Sequence, residues 1–296
     1  MRIPEEIVEE IFEIIKKENN LQKDKDIISY FSSLNRNLAE LRRGYKNNFV
    51  KIDYKDKKNQ EVYLIAYFPL YTKPIVEVLE YINKEHSSLN IPHNLCLIGA
   101  GPAPEILGFL KFIKNQLNND IHDTNIIIEL IEIASEWNYA RSIIKRVYKK
   151  TILKNLTKFS YSKLKIYKND VSKIISNSSY LLKRLRLNPY KRVVVIQNII
   201  NEIEQHSLDV FIENVIKCYK NLAAGSFLIL IDLNYNIVPN VAEKIESILK
   251  KDVIKSFCKE GGYFECRAYI NLPEIIETYL FEGFYAKRKV IYGCSI

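Results

Sequence analysis

Short apolar runs alternate with stretches of helical periodicity along the chain from residue 94 onward. The runs NIIIEL, RVVVIQ and SFLILI are almost continuously apolar, which is typical of parallel strands buried on both faces. The stretches between them carry apolar residues at helical spacing, as amphipathic helices do. This alternation predicts an α/β, Rossmann-like domain whose sheet is mostly parallel and has helices on both faces. The seven predicted strands are 95–98, 124–133, 163–168, 192–199, 226–233, 263–272 and 284–293.

The two ends of the chain depart from this alternation. The last two predicted strands alternate apolar and polar residues and are joined by one short helix, so we expect an antiparallel last strand at the end of the sheet. Residues 1–47 carry two apolar stripes at helical spacing. FVKIDY and EVYLIAYF, on either side of a charged turn, predict a strand hairpin, and YTKPIVEVLEYINKE predicts a further helix. We therefore divide the chain into an N-terminal, mainly helical extension or lid at 1–88 and an α/β domain at 89–296.

The composition is ordinary for a globular protein, with 47 % hydrophobic and 27 % charged residues among 296. No apolar run reaches the roughly 18 to 20 residues that span a bilayer. The acidic N-terminus lacks the basic start and apolar middle of a signal peptide, so a cytoplasmic location and no membrane partner are expected. The five cysteines form no C-x-x-C pair and the four histidines form no H-x-x-x-H pair, so the sequence predicts no metal site.

The positive charge is concentrated in one segment. The formal net charge of the chain is +9, yet residues 141–192 hold 16 basic side chains and a single acid, Asp170. Such a block predicts an anionic partner, either RNA or another polyanion. The alternative is a solvated helical face that only aids solubility.

Glycine or polar residues directly follow successive predicted strands, where an open α/β sheet binds its ligands. Each suits one part of an adenosine-bearing ligand. Glycines let the backbone approach closely, an acid after the second strand accepts from ribose hydroxyls, an acid after the third accepts from an adenine amino group, and a polar pair follows the fourth. The candidates are Gly99, Ala100, Gly101, Glu132 with Trp137, Asp170, Gln197 and Asn198. The alternatives are a plain turn for the glycines, helix-terminal roles for the polar residues, and Glu129 in place of Glu132.

The glycine stretch distinguishes between kinds of nucleotide. The dinucleotide fingerprint G-x-G-x-x-G needs a third glycine for close packing of helix on strand, and here Pro104 occupies that position. A Walker-type phosphate loop is excluded, because no G-K-[ST] sequence follows the glycines. A nicotinamide or flavin ligand is therefore disfavoured.

This order of features resembles the class I S-adenosylmethionine-dependent methyltransferases over roughly residues 90–296. LIGAGPAP is similar to that family's glycine-rich loop, IEIASEW to its ribose-binding acid, LKIYKNDV to its adenine-side acid, VVVIQNIINEI to its fourth-strand motif, and YFECRAY…FYAKRKVIYG to its antiparallel last strands. The resemblance implies S-adenosylmethionine as the cofactor. The cofactor residues that it implies are Gly99 and Gly101 for the methionine part, Glu132 for the ribose, Asp170 with Val171 for the adenine, and Gln197 with Asn198 near the methyl group. Ala100 and Trp137 complete the predicted set.

One position departs from the family's pattern. Members often carry an acid two residues before the first glycine, where it contacts the ligand's amino group, but this chain has Leu97. Glu105, in the first turn of the next predicted helix, is the candidate substitute, and its alternative role is that of an acid favoured by the helix dipole. The G-x-G-P-x-P form is also similar to the loop of nicotianamine synthases, which use the same cofactor for aminopropyl transfer.

The reacting end of the site has its own candidates. Methyl transfer from a sulfonium requires mainly that the acceptor be positioned and, for a nitrogen or oxygen acceptor, that a proton be managed. Glu202 is the candidate base and Asn201 its orienting neighbour, although both also continue a predicted helix. Tyr67 and Tyr71 are candidates for an acceptor pocket beneath the N-terminal lid. Three functions stay open: an RNA methyltransferase, a small-molecule or protein methyltransferase or related aminopropyl transferase, and a non-catalytic binding module on the same fold.

Overall fold

A computed structural model gives the structure of most of the chain. The described residues are 5–46, 52–88, 90–116, 126–131, 135–150, 190–200, 203, 205–233, 237–250, 264–269, 273–280 and 287–295. The predicted strand at 163–168 lies outside these ranges.

The described part of the N-terminal region is helical. Its helices are α1 (Glu5–Glu18), α2 (Asp24–Ser33), α3 (Asn35–Lys46), α4 (Lys57–Ala66), α5 (Phe68–Tyr71) and α6 (Lys73–Glu85). The apolar stripes that predicted helices over residues 1–47 are buried, and Ile7, Ile11 and Leu41 are completely shielded from solvent. Their burial supplies the hydrophobic free energy that holds these short helices in place.

The predicted strand hairpin is wrong. EVYLIAYF lies in α4 and at the start of α5, and residues 52–54 of FVKIDY form no strand. Asp56 caps α4, because its carboxylate accepts a hydrogen bond from Lys58 N at 2.8 Å. Every residue from Asn59 to Ala66 is buried. Since α4 has no solvated face, its nearly continuous apolar run has the same appearance in the sequence as a buried strand.

Strands from the described residues form one six-stranded sheet in the order β2-β1-β3-β4-β6-β5. They are β1 (Leu95–Ile98), β2 (Ile128–Ile131), β3 (Val193–Gln197), β4 (Phe227–Leu233), β5 (Phe264–Tyr269) and β6 (Lys287–Ser295). The strands β1 to β4 pair in parallel, whereas β6 pairs antiparallel with both β4 and β5. The mostly parallel sheet and its antiparallel last strand are confirmed, and six of the seven predicted strands are described.

Helices cover both faces of this sheet, as predicted. They are α7 (Pro104–Gln116), α8 (Asn138–Lys150) after a 3₁₀ turn (Ser135–Trp137), α9 (Leu208–Lys220), α10 (Ile237–Leu249) and α11 (Glu274–Tyr279). Alternate strand residues enter two separate cores. Leu97 and Val195 pack with the N-terminal helices, α7 and α8, whereas Cys96 and Val194 pack with α9 and α10. The N-terminal helices therefore share one continuous core with one face of the sheet.

Close packing between α6 and α7 joins the two parts of the chain. At Gly108 of α7, a Cβ atom would lie 2.2 Å from Thr72 O and 2.4 Å from Ile75 Cγ2. Only glycine, which lacks that atom, allows the two helices to approach this closely.

No single helix of the described residues is long and apolar enough to cross a membrane. The helix pair Lys57–Ala66 and Phe68–Glu85, which is bent by 51°, reaches the required length and composition only when its two parts are combined.

Candidate functional site

The carboxyl ends of β1 and β3 border the point where the strand order reverses. From β1 the chain passes to β2 on one side, and it later returns to β3 on the other side. In open α/β sheets this topological switch point is where ligands bind, because the loops that leave the two strands diverge and open a crevice. The predicted glycine loop follows β1, and the predicted pair Gln197–Asn198 ends β3, so the fold brings these two sets together.

The loop after β1 adopts left-handed backbone conformations at both glycines. The φ angles are +69° at Gly99 and +47° at Gly101, a region that side chains with a Cβ atom disfavour. Gly99 N donates to Ile131 O at 2.8 Å and Ala103 N donates to Ala100 O at 2.6 Å. The loop is therefore tied to the end of β2 and turned sharply into α7.

Pro104 is the first residue of α7. A proline suits that position because the first N–H of a helix has no intrahelical partner, and the ring fixes the φ angle that the helix requires. The residue that breaks the dinucleotide fingerprint is thus a helix-starting residue at the end of the glycine loop.

Trp137 and Arg141 hold the second glycine from the side of β2. A Cβ atom on Gly101 would lie 3.6 Å from the indole of Trp137, so the ring lies directly beside this glycine. Arg141 Nε donates to Gly101 O at 2.7 Å. Ring centroids of Tyr54 and Tyr63 lie 4.3 and 5.0 Å from that of Trp137. The structure therefore brings the predicted Trp137 to the predicted loop and adds Arg141, which the sequence analysis missed.

The end of β3 carries two buried amide oxygens. Gln197 is 4 % exposed, and its Nε2 donates to Tyr71 O at 2.9 Å, which fixes the orientation of its amide. Gln197 Oε1 and Asn198 Oδ1 are both buried and accept no hydrogen bond from the residues that the structure describes. Asn198 has a left-handed backbone, with φ of +57°, and its N–H donates to Ile231 O at 2.8 Å. Two acceptors without donors thus stand at the ligand-binding edge of the sheet.

Asp232 shapes the backbone on the far side of this edge. Its carboxylate accepts hydrogen bonds from Ile200 N and from Leu233 N, both at 2.7 Å, and the residue is 1 % exposed. Its position after an apolar run was visible in the sequence. The sequence did not show that the carboxylate turns back to hold the loop after β3.

Tyr67 and Tyr71 lie where α4 and α5 meet, above the end of β3. Both are buried, and with Tyr63 they form a cluster whose ring centroids are 5.7 to 6.1 Å apart. The hydrogen bond from Gln197 to Tyr71 O joins this cluster to the sheet. The two predicted acceptor-site tyrosines therefore lie near the end of β3, where their rings pack against each other.

The structure shows the surroundings of three further positions from the sequence analysis: Glu129, Leu97 and Glu105. Glu129 lies inside β2 and forms a buried ion pair with Arg192 Nη1 at 2.7 Å, so its carboxylate is already engaged. Leu97 is 1 % exposed and belongs to the core. Glu105 is 4 % exposed in the first turn of α7, where the helix dipole favours a carboxylate.

A cavity of about 280 Å³ adjoins the glycine loop on the side of β2. Its floor is apolar and polar groups of α8 stand at its rim. The lining residues are Pro102, Ala103, Ile106, Leu130, Asn138, Arg141, Ser142, Ile144, Lys145 and Tyr148.

Several predicted residues lie outside the described ranges. They are Glu132, Asp170, Val171, Asn201 and Glu202. In the described part of the basic segment, Arg146 pairs with Glu18 at 2.7 Å and Lys150 pairs with Glu10, so α1 neutralises two of its cations.

The part of the chain that the structure describes offers neither a cluster of metal ligands nor a reactive cysteine. No three His, Cys, Asp or Glu side chains converge there as a metal site. Cys96 and Cys218 are free and buried. Burial raises the pKa of Cys218 to about 12, so its thiol stays protonated at neutral pH and is a poor nucleophile.

Neither a family model nor a curated protein matches the chain, but solved structures do. A proposed class I S-adenosylmethionine-dependent methyltransferase from Listeria monocytogenes is 11 % identical, with 97 % of this chain and 88 % of that chain covered and a TM-score of 0.44. A proposed RNA methyltransferase from Pyrococcus horikoshii is 13 % identical, with 74 % and 80 % covered and a TM-score of 0.39. Magnesium protoporphyrin IX methyltransferase from Synechocystis, with bound S-adenosylmethionine, is 11 % identical, with 92 % and 97 % covered and a TM-score of 0.31. At these identities the likeness concerns the fold alone.

Proposed function

We propose that this chain is an S-adenosylmethionine-dependent methyltransferase. The observation that carries the proposal is the left-handed loop from Gly99 to Gly101 at the switch point between β1 and β3, held in place by Trp137 and Arg141. A loop of this shape exposes backbone N–H groups to a ligand without an intervening Cβ atom. The buried acceptors at the end of β3 then face the same edge of the sheet.

The chemistry of these residues fits that cofactor. Buried acceptors such as Gln197 Oε1 and Asn198 Oδ1 cost free energy while no positively polarised group meets them. S-adenosylmethionine supplies a methyl group that its positively charged sulfur activates for transfer. Gly99 and Gly101 would hold its methionine part.

The cavity on the side of β2 suits the adenosine half of such a ligand. An apolar floor with a few polar groups at the rim is the usual lining of a site for a flat heterocycle. Glu132, which directly follows β2 in the sequence, stays the proposed ribose ligand, and Asp170 with Val171 stay the proposed adenine residues.

The residues of the chain act on the acceptor by positioning it. An in-line displacement requires the acceptor atom, the methyl carbon and the sulfur to be aligned, and alignment alone supplies much of the acceleration. Tyr67 and Tyr71 would restrict the acceptor's orientation from the side of α5. For a nitrogen or oxygen acceptor, Glu202 is the proposed base and Asn201 its orienting partner.

We favour a small, enclosed acceptor over RNA. The tyrosine cluster of α4 and α5 covers the reacting end of the crevice, and Arg146 and Lys150 are already paired with acids of α1. RNA stays the alternative because of the further basic residues at 151–189. RNA binding that weakens steeply with salt would support it, whereas absence of RNA binding would leave the small acceptor.

Titration with S-adenosylmethionine tests the proposal directly. Trp137 is the only tryptophan of the chain and contacts the glycine loop, so we expect saturable binding that changes its fluorescence and is also seen by calorimetry. The Trp137→Phe variant, which keeps an aromatic ring, is the control for the optical signal. No calorimetric binding at millimolar ligand would overturn the proposal and favour a non-catalytic module. If the cofactor binds, mass spectrometry of products from an acceptor panel distinguishes methyl transfer from aminopropyl transfer.

A further inference from the structure

Gln60 connects the N-terminal helices to the segment that follows β2. It lies on α4, is 2 % exposed, and uses the whole of its amide group. Its Nε2 donates to Tyr54 O at 2.8 Å and to Glu136 O at 2.7 Å, and its Oε1 accepts from Ala140 N at 2.9 Å. Two of these three bonds cross from the N-terminal region to the α/β domain.

The residues that Gln60 holds are the neighbours of the glycine loop. Glu136 lies in the 3₁₀ turn that carries Trp137, Ala140 lies in the first turn of α8, and the indole of Trp137 lies beside Gly101. Arg141, directly after Ala140, donates to Gly101 O. The ring of Tyr54, whose carbonyl Gln60 also binds, packs on Trp137. One side chain of α4 therefore holds three backbone groups around the indole that supports the loop.

We propose that Gln60 is a positioning residue that sets the cofactor affinity of the glycine loop through Trp137 and Arg141. The inference rests on the proposed cofactor function and deepens it, since it makes the N-terminal helices part of the cofactor site. A loop held at one geometry before binding loses less conformational freedom when the ligand arrives, so its affinity is higher. The three hydrogen bonds of the Gln60 side chain all go to backbone groups.

The neighbouring Asn59 offers a matched control. It lies on the same helix, is 3 % exposed, and has hydrogen bonds at both its amide nitrogen and its amide oxygen. Its Nδ2 donates to Asp53 O at 3.0 Å and its Oδ1 accepts from Asn37 Nδ2 at 2.8 Å. Both bonds stay within the N-terminal region, so loss of this amide leaves the hydrogen bonds to Glu136 and Ala140, on either side of Trp137, in place.

The experiment compares Gln60→Met with Asn59→Leu in the full chain. Each variant replaces a buried amide by an apolar side chain of similar size, and we expect both to lower the melting temperature. Only Gln60→Met is expected to shift the emission of Trp137 in the absence of ligand. It is also expected to weaken S-adenosylmethionine binding about tenfold, which corresponds to about 1.4 kcal/mol, while Asn59→Leu stays within about twofold of the wild type.

Two results overturn the positioning role. One is a Gln60→Met variant that folds with unchanged emission and unchanged cofactor affinity. The other is an Asn59→Leu variant that changes both as much as Gln60→Met does. If Gln60→Met does not fold, Gln60→Asn replaces it, because its shorter side chain keeps an amide but cannot reach all three partners. Failure of the wild type to bind cofactor overturns the proposed function alone, since the ligand-free emission still tests the link between Gln60 and Trp137.

Discussion

Replacement of Glu61 tests how firmly the N-terminal helices are joined to α8. Solvent does not reach its carboxylate, which accepts hydrogen bonds from Asn19 Nδ2 at 2.9 Å, from Tyr139 Oη at 2.6 Å and from Tyr30 Oη. Lys57 Nζ lies 3.7 Å away and is 42 % exposed. One acid of α4 is thus the common acceptor for donors from α2, from α8 and from the residue after α1.

The expected change in the free energy of unfolding on replacement of Glu61 follows from these three hydrogen-bond donors. A hydrogen bond to a charged group contributes about 1.5–3 kcal/mol when buried, but these three donors are half-buried and regain part of their hydration. With about 1 kcal/mol for each, Glu61→Leu should lower the free energy of unfolding by about 3 kcal/mol. Lys57 adds little because exposed ion pairs contribute at most about 1 kcal/mol. Glu61→Gln keeps an acceptor and should cost only about 1 kcal/mol.

Urea unfolding at pH 7, followed by the fluorescence of Trp137, measures these differences. The control is Glu13→Gln, which removes an exposed ion pair with Lys16 at 2.8 Å and should change the free energy of unfolding by less than about 0.5 kcal/mol. The reasoning is refuted if Glu61→Leu costs less than about 1 kcal/mol, or if Glu13→Gln costs as much as Glu61→Leu.

Three further outcomes follow from the structure. Gly101→Ala strains a left-handed residue by about 1–2 kcal/mol but leaves 3.6 Å to the nearest ring atom, so it should fold with S-adenosylmethionine affinity reduced at least tenfold. Gly108→Ala, whose Cβ atom would lie 2.2 Å from a backbone oxygen, should instead lower the melting temperature most and change the affinity of the folded protein least. The roles given to these two glycines are contradicted if thermal melts show the larger loss of stability for Gly101→Ala and calorimetry shows the larger loss of affinity for Gly108→Ala. Burial and, after it, the hydrogen bond to Glu61 raise the pKa of Tyr139 well above its usual value. Above pH about 10 this tyrosine ionises in the unfolded chain but not in the folded protein, so the stability that it contributes below that pH is lost. Tyr139→Phe should therefore lose less stability than the wild type between pH 9 and 11, and parallel losses would exclude this contribution.

Local sequence patterns were enough to predict the sheet. Buried parallel strands need continuous apolar side chains over four to seven residues, and β3 and β4 show this because both of their faces are covered. The same patterns misread α4. A helix that is buried on every side has no polar stripe, so the period that distinguishes helix from strand is absent from EVYLIAYF.

The candidate site also has some features that local sequence patterns predict and others that only the structure shows. Glycines at a strand end report a local backbone requirement, and the structure confirms left-handed conformations at Gly99 and Gly101. The pairing of Glu129 with Arg192 joins residues 63 positions apart, and no local pattern could show that this acid is already engaged.

The sequence by itself determined the order of the described strands and helices after residue 94, the position of the glycine loop, and the polar pair that ends β3, because each depends on the chemistry of a few consecutive residues. Only the tertiary structure decided what supports that loop. The bonds from Gln60 to Glu136 and Ala140 span 76 and 80 positions, and the residues that they join meet because the N-terminal helices and one face of the sheet bury their apolar side chains in a common core.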